Sequence, residues 1–161
     1  LAPADLDRIR VETFGRALTL NNATRPWSLE AAQYSYPFCL AVASHDGANG
    51  LLPLTDDNLR RAELAEFATR VELTVDPGLD ALFPAQTAAR LVIRTKSGTH
   101  VRIVESPKGD PANPLSPEDL RAKFGRLTAA VWSPAERDQA FAAILAIPDN
   151  AELRVRDLLR G

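Results

Sequence analysis

Hydrolysis on a serine or cysteine needs a base within hydrogen-bond reach of the nucleophile and an acid that orients the base. The chain offers two histidines for that role, His45 and His100, and one cysteine, Cys39. His45 stands just before Asp46-Gly47, where a helix is expected to stop, and His100 falls in an expected hairpin near Lys96. Both are expected to be exposed polar side chains rather than bases. Cys39 lies in the apolar run YPFCLAVA (36–43), with no histidine or other base at a neighbouring helical position to take its proton. It is expected to be a buried small hydrophobe. No spacing of His, Cys and carboxylates resembles a zinc site, and neither glycine-rich phosphate pattern occurs. The residues therefore contain no self-sufficient active site, and no metal or other cofactor is expected.

One further stretch could handle a ligand, SPKGDPANPLSPEDLRAKF (106–124). Lys108, Gly109 and free backbone amides could form a small concavity suited to a carboxylate. The alternative is a well-made stop and start. Ser116 precedes Pro117, Glu118 and Asp119, an N-cap with a carboxylate at its third position, which is worth about 1 kcal/mol to the helix that follows. Asp110 and Glu118 would repel an anion, which favours the capping reading.

The elements that must position these residues follow from patterning. At 161 residues and 17.5 kDa, with 45% apolar residues, the chain has the size and composition of one domain with a single core. Its 19 basic and 21 acidic residues are interspersed, so no one-signed field marks a nucleic-acid or membrane-surface binder. No apolar run approaches the roughly 18–20 residues that cross a bilayer. No secretory signal is read at the front, and the single cysteine fits a reducing compartment, so a cytoplasmic protein is expected. The chain has no methionine and begins at Leu1, so it is expected to be a piece of a longer protein.

Residues 3–9 read as a short helical turn, and residues 8–20 as a strand in which Ile9, Val11 and Thr13 alternate with Arg10 and Glu12. Gly15 marks a bulge or close approach in that reading, and residues 21–28 a loop. A helix capped by Ser28 is expected to run to Gly47, kinked or split at Pro37. A second helix is expected over 54–71 with Thr55 as cap and a stripe of Leu59, Ala62, Leu64, Phe67 and Val71. Residues 70–78 read as a strand ending in a Pro-Gly turn. Residues 88–106 read as a hairpin about KSGT, in which Val101, Ile103 and Glu105 pair with Leu91, Ile93 and Thr95. Helices are expected from Pro117 to Val131, Pro134 to Ile147 and Ala151 to Leu159. The fold class is α+β: a three-strand meander joined by a fourth strand from residues 8–20, in a mostly antiparallel sheet of about four strands with helices on one face.

Two segments, AAQYSYPFCLAVASHDG (31–47) and SPKGDPANPLSPEDLRAKF (106–124), resemble the carboxy-terminal part of MmgE/PrpD proteins. That family includes 2-methylcitrate dehydratase, cis-aconitate decarboxylase and iminodisuccinate epimerase. The resemblance follows the order A-K-F-S-x-x-Y-C/V-x-A-x-x-x-x-D-G, then strands, then G-x-P-x-N-P-[LM]-S-x-E-x-L-x-x-K-F into a helix, over nearly the whole chain.

The resemblance implies that residues 1–161 are a single α+β lid domain of a two-domain protein whose other part is helical. The implied substrates are small di- or tricarboxylates held between the domains, and the implied reactions are those of a lyase or isomerase with no required metal. The family's catalytic lysine and histidines lie outside this sequence, so no catalytic residue is expected in it, and the piece is expected to be inactive alone. Ser35 matches the family's serine, but Phe38 stands where a pocket tyrosine is common and Gln33 where lysine or arginine is. Ser35, Phe38 and Lys108 are the expected substrate-binding residues, with Phe38 lining the interdomain cleft. Tyr34 and Tyr36 could offer a replacement hydroxyl only through a local distortion, since a helix turns about 100° per residue. Expected partners are the polycarboxylate, the missing helical domain and a second copy in a homodimer. The lost tyrosine hydroxyl motivates a second expectation, a non-catalytic binding or assembly module of the same fold.

Overall fold

The computed structural model describes residues 2–146, and the expected helix over Ala151–Leu159 lies outside them. The described residues pack as two compact units that part between Pro114 and Leu115.

The first unit opens with a 3-10 turn at Pro3–Asp5 and strand β1 (Leu6–Thr13), followed by a helical turn α1 (Gly15–Leu18). Helices α2 (Leu29–Gln33), α3 (Tyr36–Asp46), α4 (Asp56–Arg60) and α5 (Ala62–Ala68) then lead into β2 (Val71–Val75). The turn α6 (Pro77–Asp80) precedes β3 (Ala89–Thr95) and β4 (Gly98–Val104). The α+β class is confirmed, but the sheet is mixed rather than mostly antiparallel. Its order is β2-β1-β3-β4, with β1 parallel to β2 and antiparallel to β3, and β3 antiparallel to β4. Helices α1 to α5 form a long crossover that returns the chain in the same direction, which is what a parallel pair requires. The three later strands are therefore not a meander, because β1 stands between β2 and β3.

Strand β1 lies inside the sheet, and it alternates well, with β-branched Ile9, Val11 and Thr13 on its buried face. Ile9 and Val11 are 2% and 1% exposed, whereas Arg8 and Arg10 point to the other, open face. Phe38, Ala41 and Val42 of α3 and Leu64, Phe67 and Ala68 of α5 complete the core against the Ile9 face, and Leu6, Ala32 and Leu54 belong to the same cluster. Each large apolar side chain so buried contributes about 1.5–3 kcal/mol.

Several expected elements are redrawn. Pro37 does split the first long helix, and Ser28 and Ser35 cap the two pieces by accepting the N–H groups of Ala31 and Phe38. Gly47 ends α3 at φ 75°, which favours glycine. The expected 54–71 helix is broken at Arg61, whose backbone is extended at ψ 105° while its guanidinium bridges Asp46 at 2.5 Å and Glu63 at 2.7 Å. No residue type near Arg61 announces that break. The Pro-Gly turn after β2 is instead the start of α6, because the Asp76 carboxylate accepts the N–H groups of Gly78 and Leu79 and caps it. Gly15 opens α1 instead of bulging a strand, and the irregularity in β1 falls between Leu6 and Arg8.

The hairpin is shifted in phase as well. Only Lys96 and Ser97 form its turn, so Thr95 pairs with Gly98, Ile93 with His100, and Leu91 with Arg102. Val101 and Ile103 face Val92 and Arg90 across the pair, on the open side of the sheet.

The second unit is a helical hairpin of α7 (Pro117–Leu127) and α8 (Pro134–Leu145), which end earlier than expected. Ser116 with Asp119 and Ser133 with Glu136 form complete capping boxes, and proline stands in the first turn of each helix. Phe124 meets Phe141 at 5.4 Å between ring centroids and Trp132 at 5.9 Å, and the Arg121 guanidinium lies 4.9 Å from the Phe141 ring centroid.

Candidate functional site

Proline at position 37 removes a backbone N–H and forces a gap between α2 and α3, which exposes polar backbone at residues 33–36. That backbone is satisfied by the loop after α1. Asn22 adopts a left-handed conformation at φ 45°, which asparagine tolerates better than most residues. Its Nδ2 donates to the carbonyls of Ala17 and Leu20 at 3.0 and 3.4 Å, and its Oδ1 accepts the Tyr36 N–H at 3.2 Å. The Asn22 N–H donates to the Tyr34 carbonyl at 3.3 Å, and Asn21 Nδ2 donates to the Ala31 carbonyl at 3.1 Å. Ser35 Oγ donates to the Ala23 carbonyl at 2.7 Å. The loop and the helix break are thus one hydrogen-bonded unit. The two asparagines were legible only as loop formers, and their adjacency to a proline-broken helix was the available signal.

Ser35 and Phe38 come together here, in one N-cap. Both are 1% exposed, with the Phe38 ring in the core beside Val42 and Leu64. Neither offers side-chain surface to solvent. Tyr34, by contrast, is 52% exposed at the break, and Trp27 is 76% exposed in the loop before α2. Tyr36 is half-buried. Burial pushes its phenol above the ordinary tyrosine value, and the neighbouring Cys39 adds to the shift. Cys39 is half-buried rather than fully buried; burial raises its thiol, and its Sγ donates to the Ala32 carbonyl at 3.3 Å, so it packs as a small side chain against the core.

His45 is half-buried rather than exposed. Its Nδ1 lies 2.9 Å from the Ala41 carbonyl, so that nitrogen carries the hydrogen, and its ring meets Phe67 edge-on at 5.1 Å. A carbonyl one turn back in α3 and an aromatic neighbour on α5 explain the difference. His100 is exposed on β4.

Lys108 is exposed in the loop between β4 and α7. The amides beside it are not free to form an anion cradle. Gly109, at φ 109°, donates its N–H to the Asn113 carbonyl at 2.8 Å, and the Asp110 N–H goes to the Pro107 carbonyl at 3.2 Å. Asn113 Nδ2 closes the loop on the Ser106 carbonyl at 3.0 Å. Those two amides are therefore already used inside the loop.

Among the described residues there is no cluster of three or more His, Cys, Asp or Glu that could hold a metal ion, and no helix is long and apolar enough to cross a membrane. Among curated proteins, none matches the chain. The family model for the MmgE/PrpD C-terminal domain matches residues 1–147. That span takes in the capped helix break, the mixed sheet and both helices of the second unit. On that evidence the chain belongs to the MmgE/PrpD family, as its C-terminal domain.

Proposed function

We infer that the chain is the substrate-cleft lid of an MmgE/PrpD-type lyase or isomerase that acts on small di- or tricarboxylates and is inactive by itself. The family match over residues 1–147 carries this reading. The helical domain of the same protein would supply the lysine and histidines that move the proton, since this chain's two histidines are a carbonyl-bound one and a strand residue. Removing a proton next to a carboxylate builds negative charge, which nearby cations and hydrogen-bond donors must offset.

Within the lid, Ser35 and Phe38 serve substrate binding by fixing the shape of the helix break from inside. Tyr34 is the hydroxyl of that segment with open access, in place of the tyrosine that Phe38 replaces, and the exposed Lys108 contributes a cation. A homodimeric, cytoplasmic protein that requires neither metal nor cofactor is part of the proposal. The second reading, a non-catalytic binding or assembly module, draws on the absence of a hydroxyl at Phe38.

The test is to assay the whole protein for dehydration, decarboxylation or epimerisation of 2-methylcitrate, cis-aconitate and iminodisuccinate, alongside the 161-residue chain. Turnover by the whole protein alone is expected, and Tyr34→Phe is expected to lower it. No turnover of any of the three favours the second reading. Turnover by the isolated chain overturns the lid assignment.

A further inference from the structure

The open face of the sheet carries an arrangement that the helix-break site does not use. Arg8 on β1 stands directly opposite Arg94 on β3, and Arg10, two residues along β1, stands opposite Val92. Arg94 is in turn opposite Thr99 on β4. Strand alternation puts all of these on the face away from Ile9 and Val11. Arg8, Arg10, Val92, Arg94 and Thr99 line a depression of about 170 Å³ there.

Like charges directly opposite in an antiparallel pair are destabilising, so the Arg8–Arg94 pair needs a compensating anion. The chain supplies little. Glu12 is held by Arg90 at 2.7 Å and lies 4.0 Å from Arg10. Asp76 is likewise taken by Arg90, at 3.0 Å. Glu72 is shared at 3.9 Å from Arg8 and 3.7 Å from Arg10, beyond hydrogen-bond reach, and its side chain is 44% exposed. Beyond the sheet ladder, the Arg94 side chain has no hydrogen bond or ion pair among the described residues. Arg8 and Arg10 thus share one loosely held carboxylate, and Arg94 beside them has none. The depression adds the Thr99 hydroxyl as a further donor and Val92 as an apolar floor.

The geometry points to a binding site for a small oxyanion carrying at least two negative charges, phosphate-like or dicarboxylate, held by Arg8, Arg10, Arg94 and Thr99 on the open face of the sheet. Guanidinium forks match planar or tetrahedral oxyanions two oxygens at a time, and three arginines lining one depression suit a multivalent ligand over a single carboxylate. The site lies across the sheet from the helix break and does not depend on the lid reading.

The full chain is titrated by calorimetry with inorganic pyrophosphate and, separately, with succinate, at constant ionic strength. Saturable 1:1 binding of at least one is expected, and the anion that binds more tightly identifies the source. Arg94→Ala is expected to weaken binding about tenfold or more, as loss of a charge-assisted contact should. Arg94→Lys should weaken it less, and Arg60→Ala, on α4, should leave it unchanged. Because Arg94 has no partner to lose, Arg94→Ala should also raise the melting temperature in anion-free buffer and abolish the further rise that the bound anion produces. No saturable binding of either anion, or equal weakening by Arg60→Ala and Arg94→Ala, overturns the site.

Discussion

The Ser35 hydroxyl joins two segments through one oxygen: it donates to the Ala23 carbonyl at 2.7 Å while accepting the Phe38 N–H at 3.1 Å. Ser35→Ala would remove the N-cap of α3 and leave the Ala23 carbonyl without its side-chain donor. The expected loss is about 2 kcal/mol, the sum of a typical cap and a typical buried hydrogen bond. Urea unfolding of the chain measures it, and a loss indistinguishable from zero would mean that the loop is held by its asparagines alone.

Phe38→Tyr separates a core role from a cleft role. The Phe38 ring is 1% exposed, so an added hydroxyl would be buried with no partner and would cost about 1–3 kcal/mol. A variant as stable as the parent would show that the ring edge reaches water or a polar group, as a cleft position requires.

Gly50 is expected to tolerate no side chain. A Cβ there would lie 2.6 Å from Asp46 Cβ and 3.2 Å from Val42 Cγ1, both on α3, and Val42 is fully buried. Gly50→Ala should destabilise by about 1–3 kcal/mol, as overpacking does, and thermal unfolding is the check. Gly109→Ala, where the added carbon meets nothing within 4 Å, isolates the cost of its positive φ of 109° from steric crowding.

Asp76 gives the fold an acid dependence. The N–H of Leu79 chiefly holds its carboxyl below the usual aspartate value, with further help from the Gly78 N–H and Arg90. A carboxyl lowered in the folded state stabilises the fold fully above the unfolded value of about 3.9 and loses that contribution as pH falls through the lowered folded value. Asp76→Ala should therefore lower the melting temperature at pH 7, and the gap between the two proteins should shrink below about pH 4. A gap that stays constant down to strongly acidic pH would mean that the charge of Asp76 contributes nothing.

Local signals were readable wherever the deciding atoms lie within a few residues of one another. Ser28, Ser116 and Ser133 announced helix starts, Pro37 a break and Gly47 a stop, and each does so in the structure. The break at Arg61 was not legible, because its partners include Asp46 on another helix. His45 was misplaced because Phe67, which packs against it, lies in a different helix.

Residue order by itself determined the α+β class, the capped helices, the alternation of β1 and the family, all of which rest on short-range chemistry or on motif spacing. Only the tertiary structure decided that β1 lies between β2 and β3, that Val101 and Ile103 share the open face with Val92, and that Arg8 meets Arg94. Strand order and register depend on a crossover of several helices and on a two-residue turn. A one-residue shift in pairing moves every side chain to the other face of the sheet without changing the alternation that a sequence displays.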